Sequence, residues 1–348
     1  MEAWFLREWQ RNSPWQLLMR PVSWLFQLVV SIRRWAFRHG LFASTRVNVP
    51  VLVVGNITVG GSGKTPLVLA LALRLRAAGY RPGIITRGYR PRSAAGARPP
   101  PIVHVLADAG AESVSDEAAL LAARCDVPVY AGADRPAVAQ ALLAAHPQVN
   151  VILSDDGLQH YALHRDLEIC VIDGERGLGN GALLPAGPLR ETSQRLREVD
   201  ALVINGGAGA PVEGATGARS FAMQLGNESF ISLHDGRALA PADWQRAFAG
   251  RRIAMVAGTG NPGRFFSHLA RLRIDGATHA FADHHPYTSA DLAGIDAEVI
   301  VMTEKDAVKC GRFADQRLWF MRVDAILPEA FDQFVLAHLS RLQADLKA

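Results

Sequence analysis

The residues best suited to chemistry form a glycine-rich stretch, Gly60-Gly-Ser-Gly-Lys-Thr65. Because glycine lacks a Cβ atom, successive backbone N–H groups in such a stretch can curl around an anion. The free amides at the start of a following helix attract negative charge, a lysine can reach the β- and γ-phosphates, and a threonine hydroxyl can bind Mg²⁺. The sequence therefore predicts a nucleotide phosphate-binding loop, formed by Thr58, Val59, Gly60, Gly61, Ser62, Gly63, Lys64, Thr65 and Pro66.

The elements on either side of the loop support this prediction. The β-branched run 51–54 indicates a strand before it, and residues 67–75, which contain no helix breaker, indicate a helix after it. Pro66 suits a first helical turn. Thr58 stands where the pattern G-x-x-x-x-G-K-[ST] has its first glycine, so the core of the motif matches and its first position does not. A glycine turn that only packs a helix on a sheet is the alternative, but such a turn needs no Lys-Thr pair.

Two adjacent acids follow another buried strand. Four of the five residues 149–153 are apolar, and Ser154 leads into Asp155 and Asp156. A carboxylate at the end of an apolar strand, downstream of a phosphate-binding loop, is the arrangement that holds Mg²⁺ directly or through water. One acid alone could be a strand cap, so the pair is the more informative signal. We expect at least one of the two, together with Thr65, to bind Mg²⁺.

Three other motifs carry a weaker signal. Gly258-Thr-Gly-Asn-Pro-Gly263 matches the dinucleotide pattern G-x-G-x-x-G, but the acid expected about 20 residues later is offset at Asp283, so a structural turn at a helix start is favoured. His164-Arg-Asp166 resembles a protein-kinase catalytic loop, yet Val171 occupies the position of the required asparagine. Asp283-His284-His285 is typical of a metal cluster or a phosphoesterase; no acid-rich motif accompanies it, so a loop histidine acting beside a carboxylate is favoured.

The order of predicted elements indicates the fold class. Strands alternate with helices over residues 41–205, which predicts a parallel sheet whose ligands gather at the carboxyl ends of the strands. Residues 206–235 contain a glycine-rich linker and two apolar runs, 221–225 and 229–233, which predict a two-stranded β-ribbon. Strands and helices alternate again over 236–348. The sequence thus predicts an α/β protein with a P-loop-type parallel sheet domain and a second, smaller α/β domain, joined through the ribbon.

Residues 1–40 differ in composition from the rest of the chain. They hold five of its seven tryptophans and six arginines against two acids, and their net charge of +4 equals the formal charge of the 348-residue chain. The most apolar part, 22–32, is shorter than the roughly 20 residues of a bilayer-spanning helix. Arginines close it and no small-residue cleavage site follows, which argues against a signal peptide. Tryptophan and arginine together predict an amphipathic membrane-surface helix; a helix packed on the domain is the alternative.

The remaining composition excludes two classes of protein. The basic excess is confined to the apolar N-terminal arm and no nucleic-acid-binding module follows, so a nucleic-acid partner is not expected. Cysteines 125, 170 and 310 are scattered without C-x-x-C spacing, which argues against a disulfide framework or a thiolate metal site. The 49% apolar content is ample for the cores of two domains.

Seven motifs occur in a fixed order along nearly the whole chain. They are Val54-Gly-Asn-Ile-Thr-Val-Gly-Gly-Ser-Gly-Lys-Thr-Pro66, Thr86-Arg-Gly-Tyr89, Ser115-Asp-Glu117, Asp155-Asp-Gly-Leu-Gln-His160, Leu184-Pro-Ala-Gly-Pro-Leu-Arg-Glu191, Ala282-Asp-His-His285 and Thr303-Glu-Lys-Asp-Ala-Val-Lys309. In this order they resemble the tetraacyldisaccharide 4′-kinase family, the lipid A 4′-kinases of Gram-negative bacteria. The family shares the Thr58 departure from the loop pattern and has two α/β domains joined by a β-ribbon.

The resemblance implies a function, a place and partners. The family transfers the γ-phosphoryl group of ATP to the 4′-hydroxyl of a tetraacyl disaccharide 1-phosphate at the cytoplasmic face of the bacterial inner membrane. The chain is accordingly expected to use ATP as co-substrate and Mg²⁺ as metal. Its expected partners are the lipid disaccharide and the inner-membrane surface, and it is expected to act as a monomer.

The resemblance also implies roles for single residues. Lys64 would act on the phosphates during catalysis, Thr65 would serve Mg²⁺, and the acids Asp155 and Asp156 would complete the metal site. The catalytic base lies in a Gly-Asp-Glu motif, which corresponds to Asp116 with Ser115 in place of the glycine.

The dyad partner of the base corresponds to His284, in the Asp-His loop. A carboxylate can accept the proton of the sugar hydroxyl while the loop amides, a lysine and Mg²⁺ neutralise the transferring phosphate, and a histidine can orient that carboxylate. Substrate or nucleotide contacts are expected from Arg87, Arg190 and Glu191.

Two other functions stay open from the sequence. A membrane-associated P-loop ATPase of the partition and division-site type would share Gly-Gly-x-Gly-Lys-Thr and an amphipathic segment, but it places a signature lysine where Val59 stands. A nucleotide-gated membrane adaptor without a small-molecule acceptor is the third reading. A phosphorylated lipid product would separate the kinase from both.

Overall fold

The computed structural model describes residues 8–9, 13–87, 102–107, 114–207, 217–313 and 315–345. Its helices are α1 Pro14–Arg38, α2 Lys64–Ala77, α3 Asp116–Arg124, α4 Arg135–Ala145, α5 Pro241–Ala247, α6 Pro262–Arg271, α7 Ser289–Ala293, α8 Glu304–Cys310 and α9 Glu329–Asp345. Its strands are β1 Val51–Gly55, β2 Pro82–Thr86, β3 Val103–Val105, β4 Val129–Ala131, β5 Val151–Asp155, β6 Leu167–Asp173, β7 Ala201–Asn205, β8 Arg219–Ser232, β9 Ala238–Leu239, β10 Ile253–Ala257, β11 Ala277–Ala280, β12 Val299–Thr303 and β13 Leu318–Ile326.

One sheet runs through both halves of the molecule. Its strand order is β11-β10-β12-β13-β8-β7-β6-β1-β5-β2-β4-β3, with β9 paired to β8. Within the described residues, pairing is antiparallel only for β3 with β4 and for β8 with β13 and β9, and every other neighbour is parallel. The predicted α/β class with a largely parallel sheet is therefore confirmed.

The long strand β8 links the two halves, and it corrects one prediction. Runs 221–225 and 229–233 are not the two arms of a hairpin but parts of one 14-residue strand. Asn227 has φ 53°, and the pairing of β8 with β13 shifts register between Arg322 and Asp324, which marks a β-bulge. Glycine and asparagine serve a bulge as well as a turn, which is why the hairpin prediction was wrong. The ribbon consists instead of β8 and β13.

Apolar side chains cover both faces of the sheet in each half. In the first half, one core contains α2 and α3, and the other contains α4 and the loops that precede and follow β6. Phe331, Val335 and Leu339 of the C-terminal helix α9 belong to the first of these cores, and His338 Nε2 donates to the Asp166 carbonyl at 2.8 Å. The chain therefore returns to the first half at its end. The predicted boundaries 1–40, 41–205, 206–235 and 236–348 stay predictions, and 208–216 lie outside the described residues.

Helix α1 contacts the first half through polar side chains and through Phe26, which packs against one of its cores. Buried Ser23 donates to the Leu183 carbonyl at 2.8 Å and accepts from the Ala186 amide at 3.0 Å, and Arg34 and Arg38 pair with Glu198. The opposite face leaves large apolar side chains half exposed or more, namely Leu17, Leu18, Val22, Trp24, Leu25, Leu28, Val29, Ile32 and Trp35. None of the described helices combines the length and the apolar character required to cross a membrane.

Candidate active site

The phosphate-binding loop has the geometry that its sequence predicts. Residues 56–63 connect the fully buried strand β1 to α2, which begins at Lys64. Gly63 caps the helix with φ 95°, and a Cβ atom there would lie 2.3 Å from Nδ2 of Asn205. Asn205, buried at the end of β7, donates to the Ser62 carbonyl at 3.0 Å. This hydrogen bond fixes the loop to the end of a neighbouring part of the sheet. Glycine is required at position 63 for both backbone conformation and space.

The two acids lie beside the loop because β5 is the neighbour of β1 in the sheet. Lys64 Nζ is 3.6 Å from Asp156 Oδ1, and Arg190 Nη1 is 3.3 Å from the same carboxylate. Burial alone would raise the pKa of Asp156, but the charges of Lys64 and Arg190 outweigh burial and lower it. Asp156 also has φ 49°, a left-handed conformation that costs a non-glycine residue energy and that the surroundings must enforce.

Asp155 differs from its neighbour in being almost fully buried. Its Oδ2 accepts from Thr86 Oγ1 at 3.2 Å, and its Oδ1 has no protein partner. Burial, and then the charge of Asp156, raise the pKa of Asp155 to about 6. A buried carboxylate oxygen without a partner, next to a second acid, is well suited to a cation.

These residues fit Mg²⁺ in the way that P-loop kinases hold it. Mg²⁺ binds through one or two carboxylates, a hydroxyl, waters and the nucleotide phosphates and does not need a cage of protein ligands. Across the described ranges, no group of three or more His, Cys, Asp and Glu side chains could hold an ion without such help. Asp155, Asp156 and Thr65 are the residues that would hold Mg²⁺, and the ion would neutralise charge on the phosphates.

The loop 184–191 runs alongside the phosphate-binding loop. Val59 donates its amide to the Pro188 carbonyl at 2.8 Å, and Arg190 donates its amide to the Ile57 carbonyl at 2.7 Å. This brings the Arg190 guanidinium to Asp156. Glu191 points away into a buried network, where Gln159 and Tyr161 donate to it at 2.7 and 2.5 Å. The geometry favours a structural role for Glu191 and a phosphate-side role for Arg190.

Arg87 follows β2, the strand next to β5, and its side chain is exposed. Strands β1, β5 and β2 are parallel, so their carboxyl ends share one edge of the sheet, and Arg87 lies on that edge with the phosphate-binding loop and the two acids. A contact with substrate or nucleotide stays a prediction for this residue.

The proposed base is the first residue of α3. Ser115 caps this helix by accepting from the Ala118 amide at 3.2 Å. Ser115 has φ −69° and ψ 152°, a conformation open to any residue, so the replacement of glycine costs nothing here. Asp116 is only 6% exposed although it sits at a helix start.

His284 of the second half reaches this carboxylate. Nδ1 of His284 is 3.1 Å from Oδ2 of Asp116, and Nε2 is 3.8 Å from Oδ2 of Asp283. His284 has φ 58°, so an unusual backbone conformation aims the ring. Burial would raise the pKa of Asp116, but the His284 hydrogen bond and the charges of Lys309 and Lys305 lower it, and the same bond raises the pKa of His284.

Two buried cations near the acids were not predicted as functional. Arg135, at the start of α4, is 1% exposed, donates to the Asp155 carbonyl at 2.6 Å and has its pKa lowered to about 10 by burial. Lys309 lies 3.5 Å from Asp116. The motif 303–309 is one of the seven that resemble the family and contains this lysine, but a lysine in a helix gives no sign of burial from sequence alone.

Two of the three weaker motifs, 258–263 and 164–166, prove structural. Gly258 approaches Tyr287 and Asp306 so closely that a Cβ atom would lie 2.8 Å and 3.0 Å from their oxygens, and Asn261 caps α6 by accepting from Arg264. The stretch 258–263 is therefore the helix-start turn that was favoured. Asp166 of the kinase-like triplet accepts the Val51 amide at 2.9 Å and so orders the start of β1.

Comparisons with known proteins agree with this site. A family model described as tetraacyldisaccharide-1-P 4′-kinase, LpxK, matches residues 15–340. A tetraacyldisaccharide 4′-kinase of Nitrosococcus oceani is 48% identical over 336 residues, which cover 97% of this chain and 94% of that protein. One of Methylobacillus flagellatus is 45% identical over 344 residues, which cover 97% of this chain and 96% of that protein.

A solved structure has the same fold. The crystal structure of the "apo" form of LpxK from Aquifex aeolicus in complex with ATP superposes with a TM-score of 0.78 at 28% identity, covering 93% of this chain and 99% of that chain. These relatives are kinases, so the partition-type ATPase is not supported. The match over most of the chain and the identity to these relatives establish that the chain belongs to the tetraacyldisaccharide-1-P 4′-kinase family.

Proposed function

We propose that this chain transfers the γ-phosphoryl group of ATP to the 4′-hydroxyl of a tetraacyl disaccharide 1-phosphate, with Asp116 as the base and His284 as its partner. The observation that carries the assignment of the base is the 3.1 Å contact between the carboxylate of Asp116 and the ring of His284. The two side chains come from opposite halves of the molecule, so their meeting is a property of the assembled site and not of local packing.

The phosphate side of the reaction uses the loop and its neighbours. The amides of 60–65 and the ammonium of Lys64 bind the β- and γ-phosphates of ATP. Mg²⁺, held by Asp155, Asp156 and Thr65, supplies neutralisation of phosphate charge when it is bound. Arg190, 3.3 Å from Asp156, adds a second cation on the same side. These groups stabilise the charge of the transferring group, which is the main demand of phosphoryl transfer.

The acceptor side uses the dyad. The 4′-hydroxyl oxygen attacks the γ-phosphorus while its proton passes to Asp116, and the bond from the γ-phosphorus to the β,γ-bridging oxygen breaks, leaving ADP. The low pKa of Asp116 keeps it ionised and ready to accept, but it also makes Asp116 a weak final holder of the proton. His284, whose pKa the pairing raises, is the better final holder, so the proton moves on to its ring.

The exposed apolar face of α1 supports the proposed location. Leucines and a tryptophan on this face would insert among lipid headgroups, and basic residues of the same helix would meet anionic lipid. A bilayer-associated substrate with four acyl chains requires such contact. We propose that the chain acts as a monomer at the cytoplasmic face of the inner membrane, as a peripheral or monotopic protein.

The experiment is transfer of labelled phosphate. Purified chain, ATP labelled at the γ-position, Mg²⁺ and tetraacyl disaccharide 1-phosphate in mixed micelles should give a labelled lipid, and Asp116→Asn should abolish it. Release of labelled inorganic phosphate at the same rate with or without the lipid, and no labelled lipid, would overturn the proposal in favour of an ATPase.

A further inference from the structure

We propose that Lys309 is a positioning residue for this reaction: its buried ammonium, anchored by Asp306, holds Asp116 as a carboxylate directed at His284. The inference rests on the proposed role of Asp116 as base. It assigns a function to the motif 303–309, which neither the phosphate-binding loop nor the dyad accounts for.

Lys309 is placed to act on the base. It lies on α8, and its Nζ is 2.8 Å from Oδ1 of Asp306 and 3.5 Å from Oδ2 of Asp116. The side chain of Lys309 is 6% exposed and that of Asp116 is 9% exposed. Lysine is almost never buried unless paired, and water screens a charge pair at this depth far less than at the surface. The ammonium therefore contributes to lowering the pKa of Asp116.

Asp306 explains why the ammonium stays in place. It is fully buried, and its Oδ2 accepts from the Gly258 amide at 2.9 Å and from Thr303 Oγ1 at 2.6 Å. These bonds tie the carboxylate to β10 and β12, which belong to the rigid sheet of the second half. Tyr287 packs over Lys309 with the ammonium 5.1 Å from its ring centre. Lys309 thus reaches from a fixed carboxylate in one half to the base in the other.

The surroundings of Asp116 contain one other lysine, and that lysine is engaged elsewhere. Lys305 Nζ pairs with Glu117 at 2.8 Å and with Asp283 at 3.4 Å. The charged and titratable groups that face Asp116 are His284 and Asp283 from the loop after β11, Lys305, Asp306 and Lys309 from the second half, and Glu117 from its own helix. Within the described residues, the carboxylates that pair with Lys309 are those of Asp306 and Asp116. Lys309 is therefore the lysine available to the base.

A purely structural role of Lys309 would have different experimental consequences. Arg124 already docks α3 on the second half by pairs with Glu304 at 2.9 Å and Asp324 at 2.5 Å. If Lys309 only added to this docking, its loss would lower stability and leave the pH dependence of catalysis unchanged. If it holds the base ionised, its loss must move the acidic limb of the pH–rate profile upward, because the Asp116–His284 pair, whose proton lies on the histidine, then holds that proton more tightly.

The test compares Lys309→Met with Lys309→Arg, which keeps the charge, and with the double variant Lys309→Met/Asp306→Asn, which leaves no buried carboxylate unpaired. Arg252→Gln, at an exposed pair with Asp296, is the control. We expect the acidic limb of kcat/KM for the lipid to rise by about one pH unit or more in both Met variants, with KM for ATP within a few-fold of the parent. At pH values below the limb this is a loss of about tenfold or more. Lys309→Arg should restore the limb toward the parent.

The outcomes distinguish a failure of the role proposed for Lys309 from a failure of the proposed kinase function. Met variants that fold, as judged by thermal unfolding, and keep the parent profile would overturn the role of Lys309 while the kinase assignment stands. A parent chain that labels no lipid would instead overturn the proposed function.

Discussion

Asp116 and His284 are 168 positions apart in the sequence, yet their side chains lie 3.1 Å apart. One begins a helix of the first half, and the other is in a loop after β11 of the second half. Because the two residues are far apart in the chain, local backbone structure does not bring their side chains together. The dyad therefore depends on how the two halves dock. The contacts that dock them are therefore part of the catalytic machinery in a physical sense.

Arg124 provides a test of that docking. Replacing Arg124 by Met leaves the carboxylates of Glu304 and Asp324 without their shared partner, one of them 13% and the other 43% exposed. Removing one member of a buried ion pair lowers the free energy of unfolding by about 3–5 kcal/mol. Because Asp324 is partly exposed, we expect a decrease of about 1–3 kcal/mol here. Urea unfolding should show this loss, and kcat should fall with it.

The matched control is Arg76→Met, which removes an arginine paired with an exposed carboxylate, that of Asp126. Surface pairs of this kind are worth about 0–1 kcal/mol, so stability and turnover should stay near those of the parent. Equal stabilities for the Arg124 and Arg76 variants would show that Arg124 does not hold the halves together.

Lys64 and Thr65 test the phosphate side. Lys64→Ala and Thr65→Ala remove contacts to the phosphates and Mg²⁺ that are worth several kcal/mol in the transition state, so kcat should fall by about a hundredfold or more. Thr65→Ser retains the hydroxyl and should keep most of the activity. Near-normal turnover in a folded Lys64→Ala chain would refute the assignment of the loop.

Helix α1 tests the membrane proposal. Leu25 and Leu28 are 63% and 55% exposed on its apolar face, and replacing both by Glu removes apolar burial and adds two like charges at an anionic surface. Binding to vesicles of phosphatidylglycerol and phosphatidylethanolamine should weaken by about tenfold or more. Leu73→Glu, at a 42% exposed position on α2, is the control and should bind as the parent does. Unchanged co-sedimentation of the double variant would show that this face does not contact lipid.

The sequence predicts local parts of the site better than distant ones. The loop 58–66 and the acids after β5 follow from residue types within a few positions of one another. The strand β8 does not, because Gly226 and Asn227 suit a bulge as well as a turn, and only the pairing with β13 separates the two. Lys309 was missed for the same reason, since its partners are fixed by tertiary packing.

The dyad itself could be inferred only through resemblance to a family. No periodicity or spacing connects a helix start with a loop so far along the chain. The return of α9 to the first half is equally hidden, because tertiary packing and not the sequence of the helix decides which core it covers. Short-range sequence patterns do not show which distant residues come into contact, and the structure does.

The most direct measurement is a double-mutant cycle on the dyad, read as kcat for labelled lipid across pH. Asp116→Ala and His284→Ala should each lower kcat strongly with KM for ATP within a few-fold of the parent, and the double variant should lose much less than the product of the single losses, because the two act as one unit. In the parent, kcat should rise with pH through the raised pKa of His284, since only the neutral ring can take the proton, and His284→Ala should lose that limb. Fully multiplicative losses, or an unchanged pH–rate profile in His284→Ala, would contradict the account.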